Sequence, residues 1–331
     1  MRPLVASVGD PAGVGPQLLA QAFCDRAAQG LPPFAIVGSA QLMRGVAAHH
    51  GLAVDIAPIA SLSDMDAAGD AMPVLDLGDV PYRPGHPDRD GASLALAALG
   101  EAARLTVTGE ASALITGPIA KAALQDVGFA HPGQTEFVAE ACGVPAEDAV
   151  MMLAGPSLRV VPLTVHVPLC EVPGRLSAAL IEKRIAIAAA ALTRDFGIAA
   201  PRIAVAGLNP HAGENGRMGD EEARIIAPAI AALREAGMTI TGPHPGDAMF
   251  HAAARAGYDL AACMYHDQAL IPLKVLDFDA GVNVTLGLPI VRTSPDHGTA
   301  FGIAGTDAAH AGPTIAAIRM AHECALRRLA A

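Results

Sequence analysis

The sequence predicts a two-domain α/β protein, with β/α units wound around a largely parallel sheet. Three observations lead there. The chain has 331 residues, and about 150 residues per domain gives roughly two domains. Hydrophobic residues make up 52% and charged residues only 17%, which is enough apolar surface for a large core and too much for disorder. Short apolar runs alternate with Ala-rich helical patterns, and 34 Gly and 26 Pro punctuate them.

The elements follow in order. Residues 4–8 (LVASV) read as a strand that ends at GDPAGVGP, and 16–28 as a helix with Pro16 at its start. Residues 34–37 and 74–77 read as strands, and 78–89 is turn-rich. Residues 92–106 are helical, and 113–116 form a strand leading through GPIAK into another helix. A long β-rich run covers 158–165. Residues 177–194 read as a helix with Gly197 as its stop. Strands are expected at 202–208, 260–265, 282–286 and 290–293, and helices at 221–236 and 308–329. No repeat and no low-complexity linker appears, and a domain boundary is expected near Pro132.

Composition narrows the function classes. Lys+Arg total 22 against 33 Asp+Glu, a net charge of −11, which argues against a nucleic-acid binder needing a basic face. Trp is absent and aromatic residues are 3%, so base-stacking platforms are not expected. No stretch approaches the ~20 apolar residues of a membrane span, and the first residues break at once into Gly and Pro. The five cysteines lack any CxxC spacing and read as buried thiols in a reducing compartment. The expectation is a soluble, cytoplasmic protein.

Three of the twelve histidines follow apolar strand runs: His166 after VVPLTV, His211 after IAVAGLNP and His266 after LAACMY. Ligands of open α/β sheets bind outside the carboxyl ends of strands, and three neutral imidazoles suit a divalent cation with open positions left over. Each histidine alone also reads as a hydrogen-bonded structural residue. Asp267 and Asp247 are placed either to orient such an imidazole or to accept a proton. His244 and His251 lack the strand-end context and read as structural.

Three further segments read as ligand contacts. GDPAGVGP follows a strand and opens a helix, so its backbone N–H groups either face an anion or serve a tight packing turn. Thr116, Lys121, Gln134 and Thr135 form one polar cluster, and Lys274, Asn283 and Arg292 another. Cations within apolar runs (PLKVL, PIVRT) suit an anionic substrate, Arg as a bidentate fork and Lys as a point charge. SPDHGTAFGIAG is a loop of the kind that wraps a ligand.

Taken with TGPIAK, HPGQTEF, TVHVPL, LNPHAGENGRMGDEE, HPGDAMF and MYHDQALIPLK, these motifs make the chain resemble the 4-hydroxythreonine-4-phosphate dehydrogenase (PdxA) family of vitamin B6 synthesis, nearly end to end. The resemblance implies a two-domain α/β/α fold like that of isocitrate and isopropylmalate dehydrogenases. It implies an active-site cleft between the domains and a homodimer with shared active sites. The expected division is residues 1–131 with 305–331, and residues 132–304 carrying the metal ligands and the dimer interface.

It further implies that His166, His211 and His266 bind a divalent metal (Zn, Mg or Co), with ligands drawn from both subunits. Gln134, Thr135, Lys274, Asn283 and Arg292 would contact substrate. Asp296, His297, Gly298, Thr299 and Ala300 would lie beside NAD or NADP, along with part of the first Gly turn. The implied reaction oxidises 4-phosphooxy-L-threonine to a β-keto acid that decarboxylates to 3-amino-2-oxopropyl phosphate; on the chemistry, Asp247, Asp267 or a bound water would take the hydroxyl proton. Gln134 stands where the family usually has His, Gln17 where an acidic residue is common, and Gly302 where Asp is common. Gln134 keeps open a sister dehydrogenase acting on 4-phosphothreonate or an aromatic cis-dihydrodiol carboxylate. A metal-dependent hydrolase would show no nicotinamide dependence, and a non-catalytic binding protein would bind without turnover.

Overall fold

The computed structural model describes residues 2–330. The chain divides into two compact units, Met1–Ala146 with Leu288–Leu326, and Glu147–Gly287 with Arg327–Ala331. Pro132 thus lies inside the first unit, as do residues 288–304.

The first unit holds β1 (Leu4–Ser7), β2 (Phe34–Gly38), β3 (Ile56–Ile59), β4 (Met72–Asp76) and β5 (Ala113–Thr116), and takes β12 (Arg292–Pro295) from late in the chain. Their order is β3-β4-β2-β1-β5-β12, and they pair in parallel. All four residues of β1 and of β5 are buried, which is why these strands read as unbroken apolar runs rather than alternating ones. The helix Arg89–Val107 covers them with Ala92, Ala95, Ala98, Ala102 and Ala103 buried, so small side chains let helix and sheet approach closely.

The second unit holds β6 (Val150–Ala154), β7 (Arg159–Pro162), β8 (Arg202–Ala206), β9 (Thr239–His244), β10 (Leu260–Cys263) and β11 (Val282–Leu286), ordered β11-β6-β7-β10-β8-β9. The pairings of β6 with β11 and β7 are antiparallel, while β7, β10, β8 and β9 run parallel. Leu153, Val160, Ala204, Ala261 and Cys263 pack in one core with Ala269 and Leu273 of the helix His266–Asp277. The helix Ala178–Phe196 opens on the Ser177 side chain and closes on Gly197 at φ 69°, the left-handed stop that glycine adopts cheaply.

Several elements lie outside the pattern read from sequence: the helix Ala40–His49, the strands β3, β6 and β9, and the helix His266–Asp277. The 158–165 run is shorter than expected, since β7 ends at Pro162. The cysteines are not uniformly buried: Cys263 and Cys324 are, whereas Cys170 is exposed. No helix among the described residues is long and apolar enough to cross a membrane.

Candidate active site

In the second unit, the three histidines follow three adjacent parallel strands. β7 lies beside β10, and β10 beside β8. His166 comes after β7, His266 after β10 and His211 after β8, so all three sit beyond carboxyl ends of one run of strands. His166 and His266 meet, with ring centroids 5.8 Å apart and planes tilted by 41°. Among the described residues, no three His, Cys, Asp or Glu side chains gather around one point, so His211 does not join that pair within the chain.

The local backbone is unusual at two of the three. His166 (φ 54°) and His211 (φ 53°) are left-handed, and the left-handed run continues through Asn215. Such conformations cost about 1–2 kcal/mol per residue and persist where the surroundings enforce them, which is a mark of functional sites. His266 has a different support: its Nδ1 lies 2.7 Å from Asp267 Oδ1. A carboxylate only accepts, so the ring proton sits on Nδ1 and Nε2 keeps its lone pair for an ion. The pair of imidazoles therefore fits a divalent metal, while the exposed His211 stands apart from it among the described residues.

The other residues predicted here scatter more. Asp247 is exposed in the turn Gly246–Ala248 after β9. Lys274, on the helix His266–Asp277, has its Nζ 5.4 Å from the Phe278 ring centre. Asn283 is half-buried on β11 opposite Leu153. His251 is structural, accepting from Ala254 N–H at the start of a short helix.

In the first unit, a second group assembles around the carboxyl end of β5, which the Arg292 side chain reaches from the amino end of β12. Arg292 is 4% exposed, and its Nε and Nη2 donate to Thr116 Oγ1 at 3.1 and 2.7 Å. Its Nη1 donates to Thr135 Oγ1 at 3.4 Å. Burial pushes the guanidinium down to about 10, opposed by the nearby Glu136 carboxylate, so it stays charged at neutral pH. Each hydroxyl that accepts from Arg292 still has its own hydrogen to donate, so the cation and both threonines present donors to an anion. Gln134 donates to Gly117 O at 3.0 Å, and its buried Oε1 has no partner. Lys121 is exposed on the same stretch.

The first Gly turn proves to be a packing device. Asp10 N–H donates to Pro118 O, Ala12 N–H to Asp10 Oδ1, Gly13 N–H to Asp10 O and Val14 N–H to Thr299 O. These four donors are occupied and do not wait for an anion. What the turn does instead is dock the loop that holds Asp296 to Ala300. A Cβ on Gly13 would sit 2.8 Å from Thr299 O, and one on Gly9 (φ 74°) would sit 2.6 Å from Pro118 O. Gln17, fully buried, donates to Thr306 O at 2.9 Å and ties down the far end of the same loop. Within the loop, His297 Nδ1 lies 3.0 Å from Gly298 O, and Ala300 is left-handed at φ 47°. Open space surrounds Gly298 and Gly302, since a Cβ at either would meet nothing within 4 Å. A loop held at Thr299 and Thr306, with open space beside Gly298 and Gly302, leaves room for a flat cofactor.

Sequence reasoning missed two groups. Asp10 is a buried carboxyl within the turn, and Glu222 is a buried carboxylate beneath the His211 loop. Acidic side chains scattered through GDP and GDEE carry no spacing that marks them as internal.

Solved relatives define the class as α/β dehydrogenases. A crystal structure of 4-hydroxythreonine-4-phosphate dehydrogenase from Klebsiella pneumoniae matches with TM-score 0.87 at 38% identity, covering 98% of each chain. A terephthalate 1,2-cis-dihydrodiol dehydrogenase from Burkholderia xenovorans LB400 matches with TM-score 0.66 at 30% identity, covering 97% of this chain and 98% of that one. The chain belongs to the family described as pyridoxal phosphate biosynthetic protein PdxA, which matches residues 31–321. It is 58% identical over 328 residues to the 4-hydroxythreonine-4-phosphate dehydrogenase of Erythrobacter litoralis (strain HTCC2594), spanning 99% of this chain and 98% of that protein.

Proposed function

We propose that the protein is an NAD(P)-dependent, divalent-metal-dependent dehydrogenase of 4-phosphooxy-L-threonine in pyridoxal phosphate biosynthesis. The product is a β-keto acid that loses CO2 to give 3-amino-2-oxopropyl phosphate. The observation that carries this is the end-to-end identity of 58% to a relative of that name.

The chain's own groups suit the task. Arg292, with the hydroxyls of Thr116 and Thr135, holds the anionic end of the substrate, and Lys274 and Asn283 contact its remaining polar groups. His166, His211 and His266 hold the metal, and Asp267 keeps His266 in the binding tautomer. That duty ties up Asp267, so the exposed Asp247 is the better candidate to take the hydroxyl proton. When bound, the ion lowers the pKa of the substrate alcohol and the nicotinamide accepts the hydride. Asp296 to Ala300 lie along the cofactor.

Among the described residues, His166 and His266 meet without His211, which supports a homodimer whose copies share metal ligands. The enzyme so read belongs in the cytoplasm, with no nucleic-acid or membrane partner. The aromatic cis-dihydrodiol alternative draws on one feature, the uncharged Gln134 at the anion site, together with the Burkholderia xenovorans relative.

The test is production of NADH or NADPH from 4-phosphooxy-L-threonine, with each cofactor, with and without chelator. Turnover that the chelator abolishes is expected. Activity confined to an unphosphorylated diol would overturn the reading. His211→Ala should abolish metal-dependent turnover while leaving the far-UV circular dichroism unchanged, because this exposed side chain packs little; near-normal activity would remove His211 from the ligand set.

A further inference from the structure

We propose that Glu222 is a positioning residue for His211, a carboxylate clamp that sets the loop on which that imidazole rides. The proposal rests on the reading of His211 as a metal ligand. Beyond Ala206, Gly207 N–H still donates to His244 O of β9 at 2.7 Å, but the N–H groups of Leu208 and Asn209 then turn to a side chain for their acceptors. Glu222 provides them. Its Oε1 accepts from Leu208 N–H at 2.8 Å and Asn209 N–H at 2.7 Å. Its Oε2 accepts from Asn209 Nδ2 at 3.0 Å, and the same amide also donates to Glu221 Oε2 at 2.7 Å.

The carboxylate is 6% exposed and sits in the π-helical segment Glu222–Ile226. Burial pushes its pKa up, but the donors from Asn209 and the backbone outweigh that and hold it below the usual range, so the clamp is anionic. Glycines flank it closely: a Cβ on Gly213 would lie 2.6 Å from Oε2, and one on Gly207 would lie 3.1 Å from Oε1. The left-handed run from His211 to Asn215 starts two residues beyond the clamped Asn209. Left-handed residues revert unless held, and Glu222 is the buried carboxylate that fixes the entry to this turn and lies against Gly213 within it. Groups that orient a ligand imidazole without touching the metal typically change affinity by about 10–100-fold when removed.

The experiment titrates cobalt(II) alone into the full-length, metal-free protein and follows its visible absorption, with no substrate or cofactor present. His211→Ala is expected to weaken cobalt binding and shift the band by loss of one nitrogen donor. Glu222→Gln leaves one oxygen for the backbone donors but removes the charge. It should weaken cobalt binding about 10-fold or more, with the thermal midpoint staying close to that of the unmodified protein. Asn209→Ala, which removes only the side-chain bridge, gives a milder loss and serves if Glu222→Gln does not fold. If His211→Ala loses cobalt while both clamp variants bind it as tightly as the unmodified protein, the clamp proposal falls and the ligand reading stands. If His211→Ala binds cobalt unchanged, the ligand reading falls and takes the clamp with it.

Discussion

Arg292 keeps its charge in a place where charge is costly. Its guanidinium is buried and pushed down to about 10, and it donates to the hydroxyls of Thr116 and Thr135. An anionic substrate group held beside it would help repay the desolvation. A lysine would keep the charge and lose the fork. Arg292→Lys is therefore expected to lower kcat/KM for the phosphorylated substrate about 10- to 100-fold, the loss of about 1.5–3 kcal/mol for a charge-assisted hydrogen bond. An unphosphorylated analogue should lose far less, and equal losses on both would show that Arg292 does not bind the phosphoryl end. Asp10 presents the opposite case. Burial and the charge of Asp88 push its pKa above the usual 3.8, against the pull of Ala12 N–H, and its Oδ2 has no partner. A carboxyl whose folded pKa is raised stabilises the fold only while protonated, and that contribution is lost as pH rises through the raised value. Asp10→Asn keeps the acceptor and removes the charge. Its thermal midpoint should exceed that of the unmodified protein at neutral pH, with the gain vanishing toward pH ~4. A gain that persists at acid pH would point to some cause other than ionisation.

At the scale of elements, the loop Asp296–Ala300, which we propose receives the cofactor, depends on the glycine turn beneath it. Adding one methyl at Gly13 places carbon 2.8 Å from the Thr299 carbonyl oxygen, a backbone atom that moves only with its loop. Gly13→Ala is expected to cost about 1–3 kcal/mol of stability, as overpacking does. It should also raise the KM for nicotinamide cofactor more than that for substrate; an unchanged cofactor KM would separate this loop from cofactor binding. The same elements show what was legible in the sequence. β5 is found at the expected limits because a strand buried on both faces reads as an apolar run, and β11 because VNVTL alternates apolar and polar residues as a strand does. β3 and β9 are edge strands, half exposed and carrying Pro58 and Pro243, and their patterns look like loops. β6 is central but reads VMMLA, and methionine is a weak strand signal. Pro272 hides the helix His266–Asp277. The strand-end histidines were legible, because a polar residue after an apolar run marks a carboxyl edge. The clamp at Glu222 and the internal use of the first turn's N–H groups were not, because both depend on contacts between distant stretches of chain.

For the whole molecule, the helix His266–Asp277 and its end pose a problem that one chain does not solve. Its inner face buries Ala269 and Leu273, whereas Ile271 (61% exposed), Val275 (79%) and Phe278 (68%) stand in water at helical spacing. Single exposed apolar residues are ordinary, but a stripe of this kind marks a contact surface. The helix also begins with His266, which meets His166, and these are two of the three histidines we propose as metal ligands. A second copy seated on this stripe would cover it and bring further ligands, so assembly and metal binding should be coupled. Val275→Glu would bury a carboxylate in such an interface at a cost of several kcal/mol, while leaving the separate chain folded because the site is exposed. The variant is expected to sediment as a single chain, to retain the far-UV circular dichroism of the parent, and to lose both cobalt affinity and turnover. Chelator treatment of the unmodified protein should correspondingly weaken its association. If Val275→Glu remains dimeric, the stripe is not the interface; if it becomes monomeric yet binds metal and turns over normally, the three histidines must be completed within one chain.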